Sequence, residues 1–224
     1  MGKLFIIPTP IGNLKDMTFR AVTTLKSVDL ILCEDTRVTS KLLKFYNIST
    51  PTQSYHQHNE HSKTKHFLSL LINKQNIALV SDAGTPGISD PGYLLVKESI
   101  LNQIPIECLP GPTALIPALI KSGLPCDRFI FEGFLPVKKG KTKKLEEIAA
   151  NKKTTIFYES PHRVLKTLQL MLTYFNEREI VVVKEISKMY ETAYRGKIKS
   201  IIKEIENSTI KGEFVIITKG NEVA

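Results

Sequence analysis

A two-domain α/β fold is what this 224-residue sequence predicts, with a mostly parallel sheet in the first domain and a mixed sheet in the second. Three observations carry that expectation. Short apolar runs of strand length alternate with stretches of helical periodicity through the first half, as in a parallel sheet with right-handed crossovers. A stretch dense in Pro and Gly at residues 110–123 interrupts the pattern, which then restarts; the expected domains are residues 1–114 and 115–224. Late in the chain, residues 191–196 read as a strand that is antiparallel or at a sheet edge.

Residues 4–8 (Leu-Phe-Ile-Ile-Pro) are apolar without a break, as expected of a strand buried on both faces. The turn Thr9-Pro-Ile-Gly-Asn13 follows, and its composition specifies a rigid, exposed connection. Asp16 is placed to cap a helix over residues 18–26. Residues 29–33 form the next strand, which delivers Glu34-Asp-Thr-Arg37 at its end. A helix over 38–46 and a short strand over 52–55 come next. The polar His56-Gln-His-Asn-Glu-His61 overlaps the start of a helix over 60–73, in which Phe67, Leu70 and Leu71 share helical spacing. Residues 77–80 form a buried strand that opens into Ser81-Asp-Ala-Gly-Thr-Pro-Gly-Ile-Ser-Asp-Pro-Gly92. A helix over 93–101 follows, with Pro91 suited to its first turn. The strand over 104–109 ends in Pro110-Gly-Pro-Thr-Ala114, and a helix over 114–121 leads into the second domain.

There, residues 129–134 read as a strand, followed by the basic run Val137-Lys-Lys-Gly-Lys-Thr-Lys-Lys144 and a helix over 143–150. Residues 154–158 are β-branched and aromatic, a strand composition. Ser160 suits the cap, and Pro161 the first position, of a helix running to Tyr174. Strands over 179–184 and 191–196, an amphipathic helix over 197–206 and a strand over 213–218 complete the chain.

The composition, 42% hydrophobic and 24% charged, is that of a globular protein, and no apolar run approaches the roughly 18 residues of a membrane span. Cys33, Cys108 and Cys126 are odd in number and far apart; with no signal peptide, a reducing cytoplasm is expected. The net charge of +9 is uneven: 20 Lys and Arg face 13 Asp and Glu from Lys121 onward, against 11 and 9 before it. A basic second half points toward an anionic partner, nucleic acid first.

If the first sheet is parallel, the loops after its strands share one edge, where open α/β sheets place ligands. Those loops are polar or rich in Gly and Pro. They suit a polar small molecule held by backbone N–H and C=O groups. Neither a Gly-x-x-x-x-Gly-Lys-Ser/Thr phosphate loop nor a Gly-x-Gly-x-x-Gly fingerprint is present, so the expected ligand is not held by a triphosphate or pyrophosphate.

Five motifs, Ile7-Pro-Thr-Pro-Ile-Gly-Asn-Leu14, Cys33-Glu-Asp-Thr-Arg37, residues 81–92, Pro110-Gly-Pro-Thr-Ala114 and Tyr158-Glu-Ser-Pro-His-Arg163, resemble the ribosomal RNA small subunit methyltransferase I family, itself similar to the tetrapyrrole methylases. The resemblance runs from near residue 4 to near residue 218. It implies S-adenosylmethionine as cofactor, a cleft between two α/β domains, usually a homodimer, and 2′-O-methylation of a cytidine ribose in the decoding region of 16S rRNA within the small ribosomal subunit. It also implies a cofactor site of Pro10 and Gly12 on the first loop, Asp82, Ala83, Gly84, Thr85 and Pro86 on the central one, Thr113 and Ala114, and backbone near Tyr158. Two departures stand out. The first loop, Thr9-Pro-Ile-Gly12, is less Gly-rich than in tetrapyrrole methylases, and the sequence stops at Ala224 where many rRNA-methylating members continue.

A ribose hydroxyl is a poor nucleophile while protonated, so methyl transfer to it calls for a base or a nearby cation. Glu34, Asp35, Arg37, His58, Glu60, Glu159 and Arg163 are the candidates, the two arginines as bidentate phosphate holders. A structural role competes for all of them; Glu34 and Asp35, for example, could serve only to order loops or a dimer interface. Lys138, Lys139, Lys141, Lys143 and Lys144, with Lys152 and Lys153, are expected to contact RNA phosphates. His56, His58 and His61 lack a completing ligand set, so no metal is expected. A methylase of a tetrapyrrole or other small molecule would share the cofactor cleft, and a non-catalytic RNA-binding assembly factor would share the basic half. The basic charge and the Glu-Asp-Thr-Arg and Tyr-Glu-Ser-Pro-His-Arg motifs favour the rRNA enzyme.

Overall fold

The computed structural model describes residues 1–176 and 178–221. The chain divides into two compact units, residues 1–113 and 114–224. Each carries a five-stranded sheet flanked by helices, the first all parallel and the second mixed.

In the first unit, β1 (Leu4–Ile6), β2 (Leu30–Cys33), β3 (Thr52–Ser54), β4 (Ile77–Leu79) and β5 (Ile106–Cys108) lie in the order β3-β2-β4-β1-β5. The unbroken apolar runs of β1, β2 and β4 follow from burial on both faces. Alternate residues go to opposite cores. Leu4, Ile6, Leu30, Leu32, Ile77 and Leu79 pack with Tyr55, Phe67, Leu71 and Leu95, from or beside α3 (Glu60–Ile72) and α4 (Tyr93–Leu101). Ile31, Cys33 and Ala78 pack on the other face with Ala21 and Leu25 of α1 (Phe19–Ser27) and Leu43 of α2 (Thr36–Phe45). The central strands β4 and β1 are neighbours whose outgoing connections leave toward opposite edges of the sheet. That is the topological switch point at which such sheets hold ligands.

The second unit begins with α5 (Leu115–Ser122), followed by β6 (Phe129–Phe134), α6 (Lys141–Ala150), β7 (Thr154–Glu159), α7 (Val164–Met171), β8 (Glu179–Lys184), β9 (Thr192–Lys197), α8 (Ile198–Glu206) and β10 (Phe214–Thr218). Its strand order is β6-β7-β10-β8-β9, with β6 and β7 parallel and the other pairings antiparallel. The edge strand β9 is antiparallel. Helices α6, α7 and α8 share one core with Phe157, Ile180, Val182, Phe214 and Ile216. In α8 the buried Ile198, Ile201, Ile202 and Ile205 repeat at i, i+3, i+4 and i+7, the stripe that makes it amphipathic.

Several element starts differ from the sequence expectation, each for a local reason. Thr18, not Asp16, caps α1: its Oγ1 accepts from the Ala21 N–H at 3.1 Å, while Asp16 closes a 3₁₀ turn capped by Asn13. Helix α2 starts at Thr36 because the Asp35 carboxylate accepts from the Arg37 N–H at 2.8 Å. Pro91 lies outside α4, which begins after Gly92 at φ 138; a Cβ there would sit 2.9 Å from Leu79 Cδ2. Gly140, at φ 92, starts α6 at Lys141. Residues 161–163 form a turn ahead of α7, so Pro161 is not its first residue, and α7 ends at Met171 rather than Tyr174. The Ser160 hydroxyl accepts from Arg163 Nε at 3.2 Å instead of capping the backbone.

Candidate functional site

The loops after the strands of the first sheet brace one another. Thr9 and Gly84 exchange backbone hydrogen bonds, each 2.9 Å, which joins the loop after β1 to the loop after β4. Beneath that bridge the buried Thr9 Oγ1 donates to the Ser81 carbonyl at 2.9 Å, and Ser81 Oγ donates to the Gly84 carbonyl at 3.0 Å. Thr85 Oγ1 reaches the Pro112 carbonyl at 3.1 Å, tying in the loop after β5. The Asp35 N–H donates to Asp82 Oδ1 at 3.1 Å, tying in the loop after β2. Gly84 is at φ +86, a conformation that costs any other L-residue about 1–2 kcal/mol. The hydroxyls of Thr9, Ser81 and Thr85 do this bracing, a role their sequence context does not announce.

These braces leave a shaped polar edge. Pro10 and Thr85 are half-buried, Gly12, Ala83 and Gly87 are exposed, and Gly84 and Pro86 are buried behind them. Gly87, at φ +84, has nothing within 4 Å of where a Cβ would stand, so the loop is open on that side. Thr113 is half-buried at the end of the first unit, and Ala114 begins the second as the N-cap of α5.

The edge is acidic. Burial pushes the Glu34 carboxyl above its ordinary range, and the neighbouring Asp82 charge pushes the same way, with His56 opposing. Asp82 is also raised, by burial first; the hydrogen bond from the Asp35 N–H opposes the shift and the Asp35 charge adds to it. Asp35 goes the other way, down to about 2, because the Arg37 side chain and backbone donate hydrogen bonds to it. Arg37 itself is 88% exposed and held by Asp35 through Nε and Nη2, the latter at 2.6 Å. The Glu34 carboxylate has no hydrogen-bond partner among the described residues. His56 faces Asn59, whose amide is oriented by the His56 N–H on Oδ1 and the Ser54 carbonyl on Nδ2. Asn59 Nδ2 lies 3.0 Å from His56 Nε2, and His56 Nδ1 is buried with no hydrogen-bond partner among the described residues. His58 is exposed and Glu60 opens α3. Among the described residues, no group of three or more His, Cys, Asp or Glu side chains is arranged to hold a metal.

The second unit places several candidate residues in an interior network. Glu159 is fully buried, with 0% of its side chain exposed. It accepts from Lys141 Nζ at 3.1 Å, Thr167 Oγ1 at 2.6 Å, Arg163 Nη2 at 2.8 Å and the Ser160 N–H at 2.8 Å. Both its oxygens are occupied, so it is not free to serve as a base. Arg163 is spent on the same network and on the Leu135 carbonyl at 3.4 Å, which withdraws it from phosphate. Lys141 is buried and belongs to this network, not to a solvent-facing patch. Lys144 is tied to Glu132 at 3.2 Å and Glu147 at 3.0 Å. Lys138, Lys139 and Lys143 remain exposed. Tyr158 stands edge-on to Phe131 and Phe134, at centroid distances of 5.0 and 5.5 Å. Only the Glu159–Arg163 spacing of four residues signalled this network in the sequence; Lys141 and Thr167 carried no local sign of it.

With that geometry in place, the chain's likeness to known proteins is specific. Residues 3–202 match the family described as Tetrapyrrole (Corrin/Porphyrin) Methylases. Over 222 residues the chain is 50% identical to a protein of Synechocystis sp. named ribosomal RNA small subunit methyltransferase I, covering 98% of this chain and 80% of that one. A protein of the same name from Bacillus subtilis is 48% identical over 222 residues, 99% of this chain and 76% of that one. A third, from Streptococcus pyogenes, is 47% identical over 223 residues, 99% and 78%. Among solved structures, the methyltransferase CobJ superposes with a TM-score of 0.71 at 16% identity, covering 100% of this chain and 98% of that one. Uroporphyrin-III-C-methyltransferase from Thermus thermophilus gives 0.70 at 15%, covering 98% and 94%. The structural matches speak to the fold.

Proposed function

The chain belongs to the ribosomal RNA small subunit methyltransferase I family of the tetrapyrrole methylases, and from that premise we propose that it methylates the 2′-oxygen of a cytidine ribose in 16S rRNA. The observation that carries the reading is identity of 47–50% across nearly the whole chain to proteins named for rRNA methylation. S-adenosylmethionine is the methyl donor of the family; when bound it presents an electrophilic methyl on a sulfonium.

The acidic edge of the first unit fits such a donor. Asp82, Glu34 and Asp35 supply negative potential for a cationic ligand, and no phosphate cradle competes for the space. Pro10, Gly12, Ala83, Gly84 and Thr85 offer backbone groups, with Asp82 as the acceptor beside them. Pro86 lies buried behind them, and Thr113 follows Pro112, whose carbonyl accepts from Thr85 Oγ1.

Glu34 is assigned the proton from the ribose hydroxyl. Its carboxylate accepts no hydrogen bond among the described residues, and burial raises its proton affinity toward the range useful in a base. Asp35 holds Arg37 outward, where the guanidinium suits a phosphate. Lys138, Lys139 and Lys143 add charge for RNA. Glu159, Arg163 and Lys141 hold the second unit together instead.

Labelled methyl transfer tests the reading. Small ribosomal subunits incubated with the protein should gain label at a cytidine whose 3′ linkage resists alkali, since 2′-O-methylation removes the internal nucleophile. Transfer to a porphyrinogen and none to the subunit would refute it.

A further inference from the structure

A cavity of about 340 Å³ opens in the second unit, at the end of the sheet where β6 and β7 begin and β10 finishes. The basic run at residues 138–144 follows the opposite end of β6. The cavity is lined by Pro125, Asp127, Arg128, Lys152, Lys153 and Lys219, with Thr154 and Gly220 at its floor. Its volume is at the lower end of the roughly 300–1,000 Å³ of small-ligand sites.

The rim is a built structure. Thr154 Oγ1 donates to the Pro125 carbonyl at 2.7 Å, which fastens the segment carrying Asp127 and Arg128. The Lys153 N–H donates to Asn151 Oδ1 at 2.9 Å, shaping the turn that presents Lys152 and Lys153. The Asn221 N–H donates to the Asn151 carbonyl at 2.6 Å. Gly220 is packed so closely on Lys152 that a Cβ would collide with the Lys152 carbonyl, so only glycine lets these strands of chain meet. Arg178 clamps the same corner from behind, donating to the carbonyls of Ala149 at 2.7 Å and Lys219 at 3.4 Å.

The charges on this rim are unbalanced. Arg128, Lys152 and Lys153 form no ion pair among the described residues, although Lys144 and Lys188 elsewhere in the unit each hold two carboxylates. Among the described residues lining the cavity, Asp127 is the one carboxylate, beside Arg128, Lys152 and Lys153. Three like charges on a concave, fastened rim focus potential and select an anion. A guanidinium beside two ammonium groups suits a phosphate, one as a planar fork and the others as point charges.

We propose that this cavity is a polynucleotide-phosphate subsite, taking backbone phosphates of the RNA substrate at the end of the second sheet opposite the 138–144 run. The proposal rests on the rRNA reading above. Its role is to hold and orient a large substrate through its backbone, so that binding energy outside the reacting group positions the hydroxyl.

The test measures 16S rRNA binding by the full-length protein across salt concentrations. Replacing Arg128, Lys152 and Lys153 together with Gln should flatten the slope of log affinity against log salt by about 2.1–2.7, at roughly 0.7–0.9 for each phosphate no longer neutralised. Lys152→Gln and Lys153→Gln singly should each flatten it by about 0.7–0.9, which guards against misfolding of the triple variant. Asp127→Asn should tighten binding. S-adenosylmethionine affinity should stay the same in all of them. If the triple variant keeps the wild-type slope while K138Q/K139Q/K143Q flattens it, the subsite is overturned and the rRNA reading stands. If the wild-type protein shows no salt-dependent binding to 16S rRNA, both fall. A calorimetric titration with inorganic phosphate gives the remaining arm. Phosphate binding abolished in the triple variant, with the RNA slope unchanged, would make this a small-anion site and overturn the RNA assignment.

Discussion

Replacing Glu159 with Leu separates a structural brace from a reacting group. The substitution leaves Lys141, only 11% exposed at its side chain, with no counter-charge, and takes away one of the two acceptors of Thr167 Oγ1. Arg163, at 21%, is closer to solvent and can turn outward at less cost. Breaking a buried pair by removing one partner costs about 3–5 kcal/mol. Set against a typical domain stability of about 5–15 kcal/mol, that is a large share. Native-state hydrogen exchange reads it: amide protection in β7, α7 and the core of the second unit should fall by roughly 2–4 decades, at about 1.4 kcal/mol per decade. Amides of β1, β2 and β4 serve as the internal reference. Adding Lys141→Met removes the stranded charge and should restore much of the protection, since the two sites are directly coupled. Unchanged protection together with methyl transfer reduced a hundredfold at unaltered donor affinity would refute the brace and return Glu159 to the chemistry.

The ionisation of Glu34 opposes folding, because burial and then the Asp82 charge raise its folded-state pKa above the ordinary 4.5. That penalty is absent below the unfolded value and grows as pH rises through the folded one. Glu34→Gln should therefore raise Tm at pH 7, leave it unchanged at pH 4, and slow methyl transfer by about 10²–10⁴; equal Tm shifts at both pH values would contradict it. Asp35 has the opposite sign: its contribution is present above 3.8 and is lost as pH falls toward about 2. Arg37→Met should bring that carboxyl back toward 3.8, read by NMR titration. Gly84→Ala forces a Cβ into φ +86, at about 1–2 kcal/mol, and should weaken S-adenosylmethionine binding in calorimetry. Unaltered affinity would detach residues 81–87 from the donor. Ile201→Ala, at the fully buried centre of the α8 stripe, should lower stability by about 2–5 kcal/mol in urea unfolding.

Local chemistry explains which parts of the fold were readable in advance. The strand over residues 77–80 was visible because Ile77, Ala78, Leu79 and Val80 are apolar together, as burial on two faces requires. The α8 helix was visible because four isoleucines repeat on one stripe. Helix starts were less legible. Asn13, Asp16 and Thr18 are all capping residue types within six positions, and only backbone geometry selects Thr18 for α1. Pro91 fits a first helical turn by composition, but the close approach of Gly92 to Leu79 sets the start one residue beyond that glycine.

The candidate site divides the same way. Sequence alone determined the alternation of strands and helices, the polar Gly- and Pro-rich loops at the strand ends, and the family motifs they carry, since each is written in neighbouring residues. Tertiary structure decided the strand order β3-β2-β4-β1-β5, which sets β1 beside β4 and so allows Thr9 to bond Gly84. It also decided that Asp35 and Asp82 share an edge, 47 positions apart, and that Lys141 meets Glu159 in the interior. A lysine reads alike in sequence whether its ammonium faces water, as at Lys143, or a buried carboxylate, as at Lys141. Partners that distant are chosen by chain topology and by the cost of leaving a buried charge unpaired.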